Sequence, residues 1–348
     1  MPKFHPLEVT DIRQETEAAV VLSLAPKNGD FAFEPGQYLT FRREFGGVEL
    51  RRCYSVCASP EEGLKVGIKA VDGGVFSSFA NRDLQVGDVL EAMEPMGSFG
   101  NRVGEYNLGF AGGSGITPLL SIIKSTLQAD EKARFTLIYA NRSLASAMFR
   151  DELQDLKDRF LDRFHLIHIL EDNAQDIELF AGRLSEEKLK GLFDGWVDIK
   201  AVEHAFICGP EPMMQVVKAG LLQHLDTAQV SVEQFLSTQP GRAAQRAEPV
   251  AGVGARGAGQ ATVLLDGVSH EVVLDGETSV LQAALDARLD APYSCRAGVC
   301  STCKARLVEG EVEMRANQAL EDYEVEAGYI LTCQSHAKTD RIVVDYDG

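Results

Sequence analysis

Apolar positions in the first hundred residues come in short runs cut by turn residues. Ala18-Ala19-Val20-Val21-Leu22-Ser23-Leu24, Gln37-Tyr38-Leu39-Thr40-Phe41, Arg52-Cys53-Tyr54-Ser55-Val56 and Leu64-Lys65-Val66-Gly67-Ile68-Lys69 read as strands. Lys27-Asn28-Gly29-Asp30 and Val71-Asp72-Gly73-Gly74 read as the turns between them. Many short strands at this spacing predict a small antiparallel barrel over residues 1–103. From Tyr106 the pattern alternates between strand and helix. Asn107–Ala111, Phe135–Tyr139, Phe164–Leu170, His204–Cys208 and Val230–Phe235 are strand-like. Helices are expected near Thr117–Leu127, Phe149–Phe160 and Glu211–Leu225. That alternation predicts an α/β doubly wound parallel sheet over 104–238. Residues 239–260 are small, polar and turn-forming with no apolar period, as in a flexible linker. A third unit over 261–348 returns to short strands, with one helix near Ser279–Arg288. The fold class is therefore multidomain, and no internal repeat is present.

Composition narrows the class of function. The 348 residues carry a formal net charge of −18, which disfavours nucleic acid or an anionic membrane as partner. No apolar run is long enough to cross a bilayer, and the first residues lack the apolar core of a signal peptide, so a cytoplasmic protein is expected. Seven cysteines in such a chain argue against a disulfide framework. Four of the seven lie in the last 54 residues, and their spacing carries chemistry.

That spacing is Cys295-x4-Cys300-x2-Cys303, with Cys333 far downstream. Four thiolates hold a [2Fe-2S] cluster, and this is the plant-type ferredoxin spacing. Structural zinc shows paired C-x2-C knuckles instead. Gly298 and its small neighbours let backbone N–H groups approach the cluster sulfurs. Over 261–348 the chain resembles plant-type ferredoxins, which implies an α+β β-grasp domain. Sixteen acidic against seven basic residues give this stretch a charge of −9, suited either to docking on a basic partner or simply to solvation.

Two further constellations stand upstream. Arg52-Cys53-Tyr54-Ser55 lies on a predicted strand, followed by Lys69 and by Gly73-Gly74-Val75-Phe76-Ser77. Gly109-Phe110-Ala111-Gly112-Gly113-Ser114-Gly115-Ile116-Thr117-Pro118 ends a strand and opens a helix, with Thr117 expected as the cap. Glycines there let the backbone approach a pyrophosphate, and the helix N-terminus favours its charge. Phe206-Ile207-Cys208-Gly209-Pro210 ends a later strand, which the topology of such a sheet brings to the same edge. Arg142, after the second strand, suits a 2′-phosphate, although a surface arginine fits that position nearly as well. No acidic residue stands at that strand end, so NADPH is expected over NADH. Glu233 and Phe235 end the last strand, and Cys53 and Cys57 read as small buried residues.

Together these motifs make the chain resemble the ferredoxin–NADP reductase superfamily. The resemblance implies that Arg52, Gly74 and Ser77 hold the flavin phosphates, with Lys69 and Phe76 beside them. It implies that Tyr54 packs on the isoalloxazine and Ser55 acts near N5. Cys208 would lie beside the nicotinamide, making Ser55 and Cys208 the catalytic pair. Gly112, Gly113, Ser114, Gly115, Thr117, Gly209 and Pro210 would cradle the dinucleotide. Glu94-Pro95-Met96-Gly97-Ser98-Phe99 resembles the FAD-type members, in which the aromatic, here Phe99, lies near the adenine; FMN is the less favoured flavin. A flavin accepts two electrons as hydride and releases them singly, which is what a cluster requires.

The domain order is that of reductases serving multicomponent oxygenases. Arg52–Cys57, Pro95–Phe99, Tyr139–Ser143, Met148-Phe149-Arg150 and Ala205–Pro210 resemble the phenylacetyl-CoA epoxidase reductases. This implies electron flow from NADPH through FAD and [2Fe-2S] to a di-iron oxygenase component, in aerobic phenylacetate breakdown. Reductases of other ring-hydroxylating or steroid oxygenases are the alternative, and a diaphorase-like flavoprotein another. Intact nicotinamide motifs argue against a non-enzymatic redox sensor. The sequence does not fix the oligomeric state.

Overall fold

The computed structural model describes residues 3–29, 31–172, 177–235, 259–320 and 322–348. Most of the expected linker, 239–258, lies outside them. The described residues form two compact units. One holds His5–Leu39 and the chain from Tyr54 through the parallel sheet; the other holds Thr40–Cys53 together with the C-terminal residues.

In the larger unit, β1 (Phe4–Thr16) pairs antiparallel with β2 (Ala19–Pro26). Strands β3 (Tyr38–Phe45) and β4 (Val48–Ser55), whose residues Thr40–Cys53 belong to the smaller unit, are joined by Gly46-Gly47, whose φ values of 58° and 82° suit a tight hairpin. Back in the larger unit, β2 pairs with β5 (Leu64–Lys69), followed by α1 (Val75–Arg82) and β6 (Val89–Met93). Helix α1 is not legible in the sequence, because its eight residues follow a Gly-Gly turn and bury only Phe76, Ser77 and Ala80.

The parallel sheet is built from β7 (Tyr106–Gly112), β8 (Arg134–Asn141), β9 (Phe164–Leu170), β10 (His204–Cys208) and β11 (Val230–Glu233). Its order is β11-β10-β7-β8-β9, so the winding reverses between β7 and β10. In open α/β sheets ligands bind at that reversal, outside the carboxyl ends of the strands. The helices are α2 (Ile116–Ala129), α3 (Arg150–Arg159), α4 (Glu186–Gly195) and α5 (Glu211–Leu221). Every residue of β7 is buried, as a strand covered on both faces requires. Leu119, Ile123, Phe135 and Leu137 fill one face; Phe110, Ile138, Leu189 and Ile207 fill the other.

Polar ties join helix α2 and the start of α3 to earlier residues of the same unit. Ser121 Oγ donates to the Ala58 carbonyl at 2.7 Å. Lys124, 3% exposed, donates to both Glu62 oxygens at 3.0 and 2.8 Å and also to Glu152. The Phe149 amide donates to Glu15 Oε1 at 2.6 Å, supporting a left-handed residue (φ 58°) before α3.

The C-terminal domain contains β12 (Gly259–Leu265), β13 (Val268–Leu274), α6 (Val280–Asp286), β14 (Lys304–Glu309), β15 (Val312–Met314), α7 (Asp322–Glu326), β16 (Tyr329–Leu331), β17 (Ser335–Ala337) and β18 (Arg341–Asp345). Its main sheet runs β13-β12-β18-β14-β16, with β12 and β18 parallel. Strand β12 starts at Gly259, two residues inside the expected linker. Ser279 caps α6 by accepting from the Gln282 amide at 3.2 Å.

Candidate functional site

At the sheet reversal, two glycine-rich loops meet backbone to backbone. A Cβ placed on Gly115 would lie 2.1 Å from the Cys208 carbonyl oxygen, and one on Gly209 would lie 2.9 Å from Gly112 Cα. One on Gly112 would meet Pro210 Cδ at 2.5 Å. Glycine at these positions is what permits the approach. Gly113 takes φ 55°, and its carbonyl accepts from the Tyr139 hydroxyl at 3.0 Å. Ser114 closes the loop: its carbonyl accepts from Thr117 Oγ1 at 3.0 Å. Thr117 is therefore not the cap of α2. It is the second helical residue, buried, and Gly115 occupies the cap position. The 3-10 turn Gly113–Gly115 starts the helical winding earlier than the apolar period indicates.

The two residues expected to act on hydride come together around a third. Cys208 ends β10 in parallel register with Glu233 on β11 and Ala111 on β7. Ser55, 2% exposed, donates through Oγ to Glu233 Oε2 at 3.2 Å. Burial pushes the Glu233 carboxyl up to about 8, the Ser55 hydrogen bond only partly opposing it. Burial, and then the Glu233 charge, push the Cys208 thiol well above its ordinary value. With its carboxyl raised, Glu233 carries a proton at neutral pH beside Cys208 at the carboxyl edge of the sheet. Glu233 was legible only as a carboxylate ending an apolar strand; its partner lies 178 positions away.

The expected flavin residues of this unit gather at the start of α1. Gly74 precedes the helix, and its Cβ position is filled by Ser77 Oγ at 2.5 Å. Ser77 Oγ accepts from the Val71 amide at 3.2 Å, which orders the turn. Tyr54 and Phe76 stack obliquely with ring centroids 5.6 Å apart. An aromatic wall beside the first turn of a helix fits a flavin ring and its phosphates. Lys69 ends β5, and burial and then the Arg142 charge lower its pKa, so the two cations face common ground beside Gly113. Phe99 is a core residue, 7% exposed, edge-on to Phe206 at 5.5 Å.

Arg52 stands two residues before Tyr54 on β4, and its guanidinium donates to the Arg51 carbonyl at 2.7 Å. In the same smaller unit, the loop from Cys295 to Cys303 is shaped by positive φ at Arg296, Gly298 and Ser301. At Gly298 a Cβ would meet the Ala316 carbonyl at 2.7 Å. The thiols contact one another as two pairs, Cys295 with Cys300 and Cys303 with Cys333. The Ala297 amide donates to Cys295 Sγ at 3.4 Å, and Gln334 Nε2 approaches Cys333 Sγ at 3.7 Å. Contact with Cys300 and then burial raise the Cys295 pKa; contact with Cys333 and then burial raise that of Cys303. Four crowded thiolates need compensating cationic charge, and two sulfur pairs with amide donors fit two irons. Among the described residues no three His, Cys, Asp or Glu side chains converge as on a single metal ion. No helix among them is long and apolar enough to cross a membrane. Cys57 is buried as expected, whereas Cys53 is only partly so.

Three domain families match in sequence. They are the oxidoreductase FAD-binding domain over 7–100, the oxidoreductase NAD-binding domain over 110–219, and the 2Fe-2S iron-sulfur cluster binding domain over 263–338. The chain is 40% identical to one of the subunits of the 1,2-phenylacetyl-CoA epoxidase of Escherichia coli, over 100% of this chain and 99% of that protein. It is 34% identical to the ferredoxin reductase component of 3-ketosteroid-9-alpha-monooxygenase from Mycobacterium tuberculosis, over 98% and 95% of the two chains. Among solved structures it resembles phthalate dioxygenase reductase, with 25% identity, 98% of each chain covered and a TM-score of 0.60. The likeness gives the fold as an FAD-binding barrel, a parallel nucleotide-binding sheet and a C-terminal 2Fe-2S domain.

Proposed function

Since the chain belongs to the family of FAD- and NAD-binding oxidoreductases with a 2Fe-2S domain that serve oxygenases as electron-transfer reductases, we propose that it supplies electrons from NADPH to the di-iron oxygenase component of a phenylacetyl-CoA epoxidase. The full-length identity of 40% to one component of that enzyme carries the reading. The flavin, when bound, accepts hydride and releases electrons one at a time.

The chain's own residues do the rest. Gly112, Gly113, Ser114, Gly115, Gly209 and Pro210 hold the dinucleotide at the sheet reversal, where only glycines let the two loops approach. Cys208 orients the nicotinamide. Ser55, held by Glu233, would offer its hydroxyl to the flavin near N5, and Glu233 would keep a proton beside it. Gly74, Ser77, Lys69 and Arg52 would meet the flavin phosphates, and Tyr54 and Phe76, whose ring centroids lie 5.6 Å apart, would pack on the ring. Cys295, Cys300, Cys303 and Cys333 would ligate the cluster. The working domains are 1–103, 104–238 and 261–348, in the cytoplasm.

NADPH preference is supported by the crowding of Arg142 and Lys69, two cations that a 2′-phosphate would relieve. Arg142→Ala should raise KM for NADPH about tenfold and leave KM for NADH nearly unchanged. The decisive experiment measures NADPH consumption with and without the oxygenase component and phenylacetyl-CoA. Consumption that rises only with both, with epoxide formed, supports the reading. Reduction of artificial acceptors alone would leave the redox module and remove the pathway. The 34% identity to a steroid oxygenase reductase favours a steroid oxygenase as the second acceptor to try.

A further inference from the structure

Strand β4 carries two side chains that no flavin or nicotinamide role uses. The Arg51 side chain is 4% exposed although it is charged. Its guanidinium carbon lies 4.2 Å from the Tyr293 ring centroid, and Arg296 lies 4.3 Å from the same centroid. Arg51 Nε donates to Glu49 Oε1 at 2.8 Å, and Nη2 reaches Asp290 Oδ1 at 3.4 Å. Nη1 is buried with no hydrogen-bond partner. A buried guanidinium is costly unless its surroundings are built for it, and here they come from the segment that leads into Cys295. Two positions on, the same face of β4 presents Cys53. Its Sγ lies 3.0 Å from Ser294 Oγ and 3.4 Å from Thr40 Oγ1. It is also in hydrogen-bond contact with the Cys300 sulfur.

We infer that Cys53 is a positioning residue for electron transfer: seated by the Arg51–Tyr293 clamp, its thiol donates to the sulfur of cluster ligand Cys300 and holds the cluster loop on the strand that carries Arg52. The inference rests on the flavin and cluster sites proposed above. Cys53 itself is neither oxidised nor reduced. With both groups bound, each electron would leave the flavin and arrive on the cluster, and the thiol proton stays on Cys53. A hydrogen bond to a cluster sulfur favours the more negative, reduced cluster and so raises its potential.

The test uses the full-length holoprotein and the variants Cys53→Ala, Cys53→Ser, Arg51→Met and Tyr293→Leu. Redox titration followed by electron paramagnetic resonance should show the cluster midpoint of Cys53→Ala displaced to lower potential, with the flavin midpoint unmoved. Cys53→Ser, which keeps a donor, should recover most of the shift. In stopped flow, NADPH should bleach the flavin at the wild-type rate in every variant, which also confirms folding. Cluster reduction should slow at least tenfold in Arg51→Met and Tyr293→Leu, and amide exchange over 289–303 should quicken. A Cys53→Ala protein with wild-type midpoint and wild-type cluster reduction overturns the inference. Wild-type protein whose flavin is reduced while its cluster stays oxidised overturns the electron route as a whole, which is a different failure.

Discussion

Alanine at position 115 is a stringent probe of the two-loop nucleotide edge. Gly115 has φ −61°, so alanine meets no backbone strain there, and the whole effect must come from contact. The new methyl would sit 2.1 Å from the Cys208 carbonyl oxygen, 2.5 Å from its carbon and 2.9 Å from the Gly209 nitrogen. An ordinary contact is about 3.5 Å, so the loops must part by roughly 1 Å. The obstacle is backbone of a buried strand end and cannot rotate aside. Overpacking of this kind costs about 1–3 kcal/mol. At roughly 2–4 °C per kcal/mol for a unit of this size, Tm should fall by about 2–12 °C. The same displacement moves Cys208 from the hydride path, and a misplacement of about 1 Å can cost about a hundredfold in rate. Turnover of the holoprotein with NADPH and ferricyanide should therefore drop by about ten- to a hundredfold. Gly195→Ala is the control: it ends α4 with nothing within 4 Å of the added carbon, and should be neutral or stabilising by up to about 1 kcal/mol. Wild-type turnover and Tm in Gly115→Ala would refute the close approach of the loops.

Lys124→Met leaves Glu62 and Glu152 facing each other without their cation, and calorimetry should find the protein less stable by about 2–4 kcal/mol. Burial pushes the Glu62 carboxyl up, but the Lys124 hydrogen bond and charge outweigh it and hold the carboxyl below 4.5. That stability is present above 4.5 and lost as pH falls through the depressed value, so acid scans of Tm should be shallower in the variant. Glu233 behaves oppositely. With its carboxyl raised from 4.5 to about 8, the folded state keeps a proton that the unfolded chain releases, and stability declines as pH rises across that window. The Tm of Glu233→Gln should gain on wild type steadily between pH 4.5 and 8 and run parallel to it above. Cys300→Ser should lose the cluster absorbance while NADPH–ferricyanide turnover stays within about twofold, because hydride transfer needs only the flavin half.

The buried parallel strands were the most legible part of the chain. His204–Cys208 is read with the bounds β10 has, because a strand buried along its whole length is a short, nearly continuous apolar run. Helices α1 and α4 escaped because short, half-polar surface helices lack a broad apolar stripe. The Thr117 cap failed for a local reason: a 3-10 turn of Gly113–Gly115 advances the helix start, which residue preference alone does not reveal. Among the candidate sites, the cysteine spacing and the glycine loops announce themselves through short-range pattern. The Ser55–Glu233 contact does not, since it exists only once β4 and β11 have folded. Grouping of Thr40–Cys53 with the C-terminal unit was equally invisible, being written in a stacked Arg51 and Tyr293 far apart in the chain.

The ties from Ser121, Lys124 and Phe149 to residues 15, 58 and 62 bear on how such a chain can be recombined. A crossover between residues 103 and 104 would separate Lys124 from Glu62 and leave a buried ammonium in a foreign neighbour. A swap that keeps these bonds must therefore carry the chain's first two segments together. A crossover within 239–258 cuts none of these bonds. A foreign cluster domain grafted there has fewer demands to meet, chiefly an aromatic for Arg51 and a hydroxyl for Cys53. New electron acceptors can in this way be recruited by exchanging the last domain while the nicotinamide chemistry is left untouched.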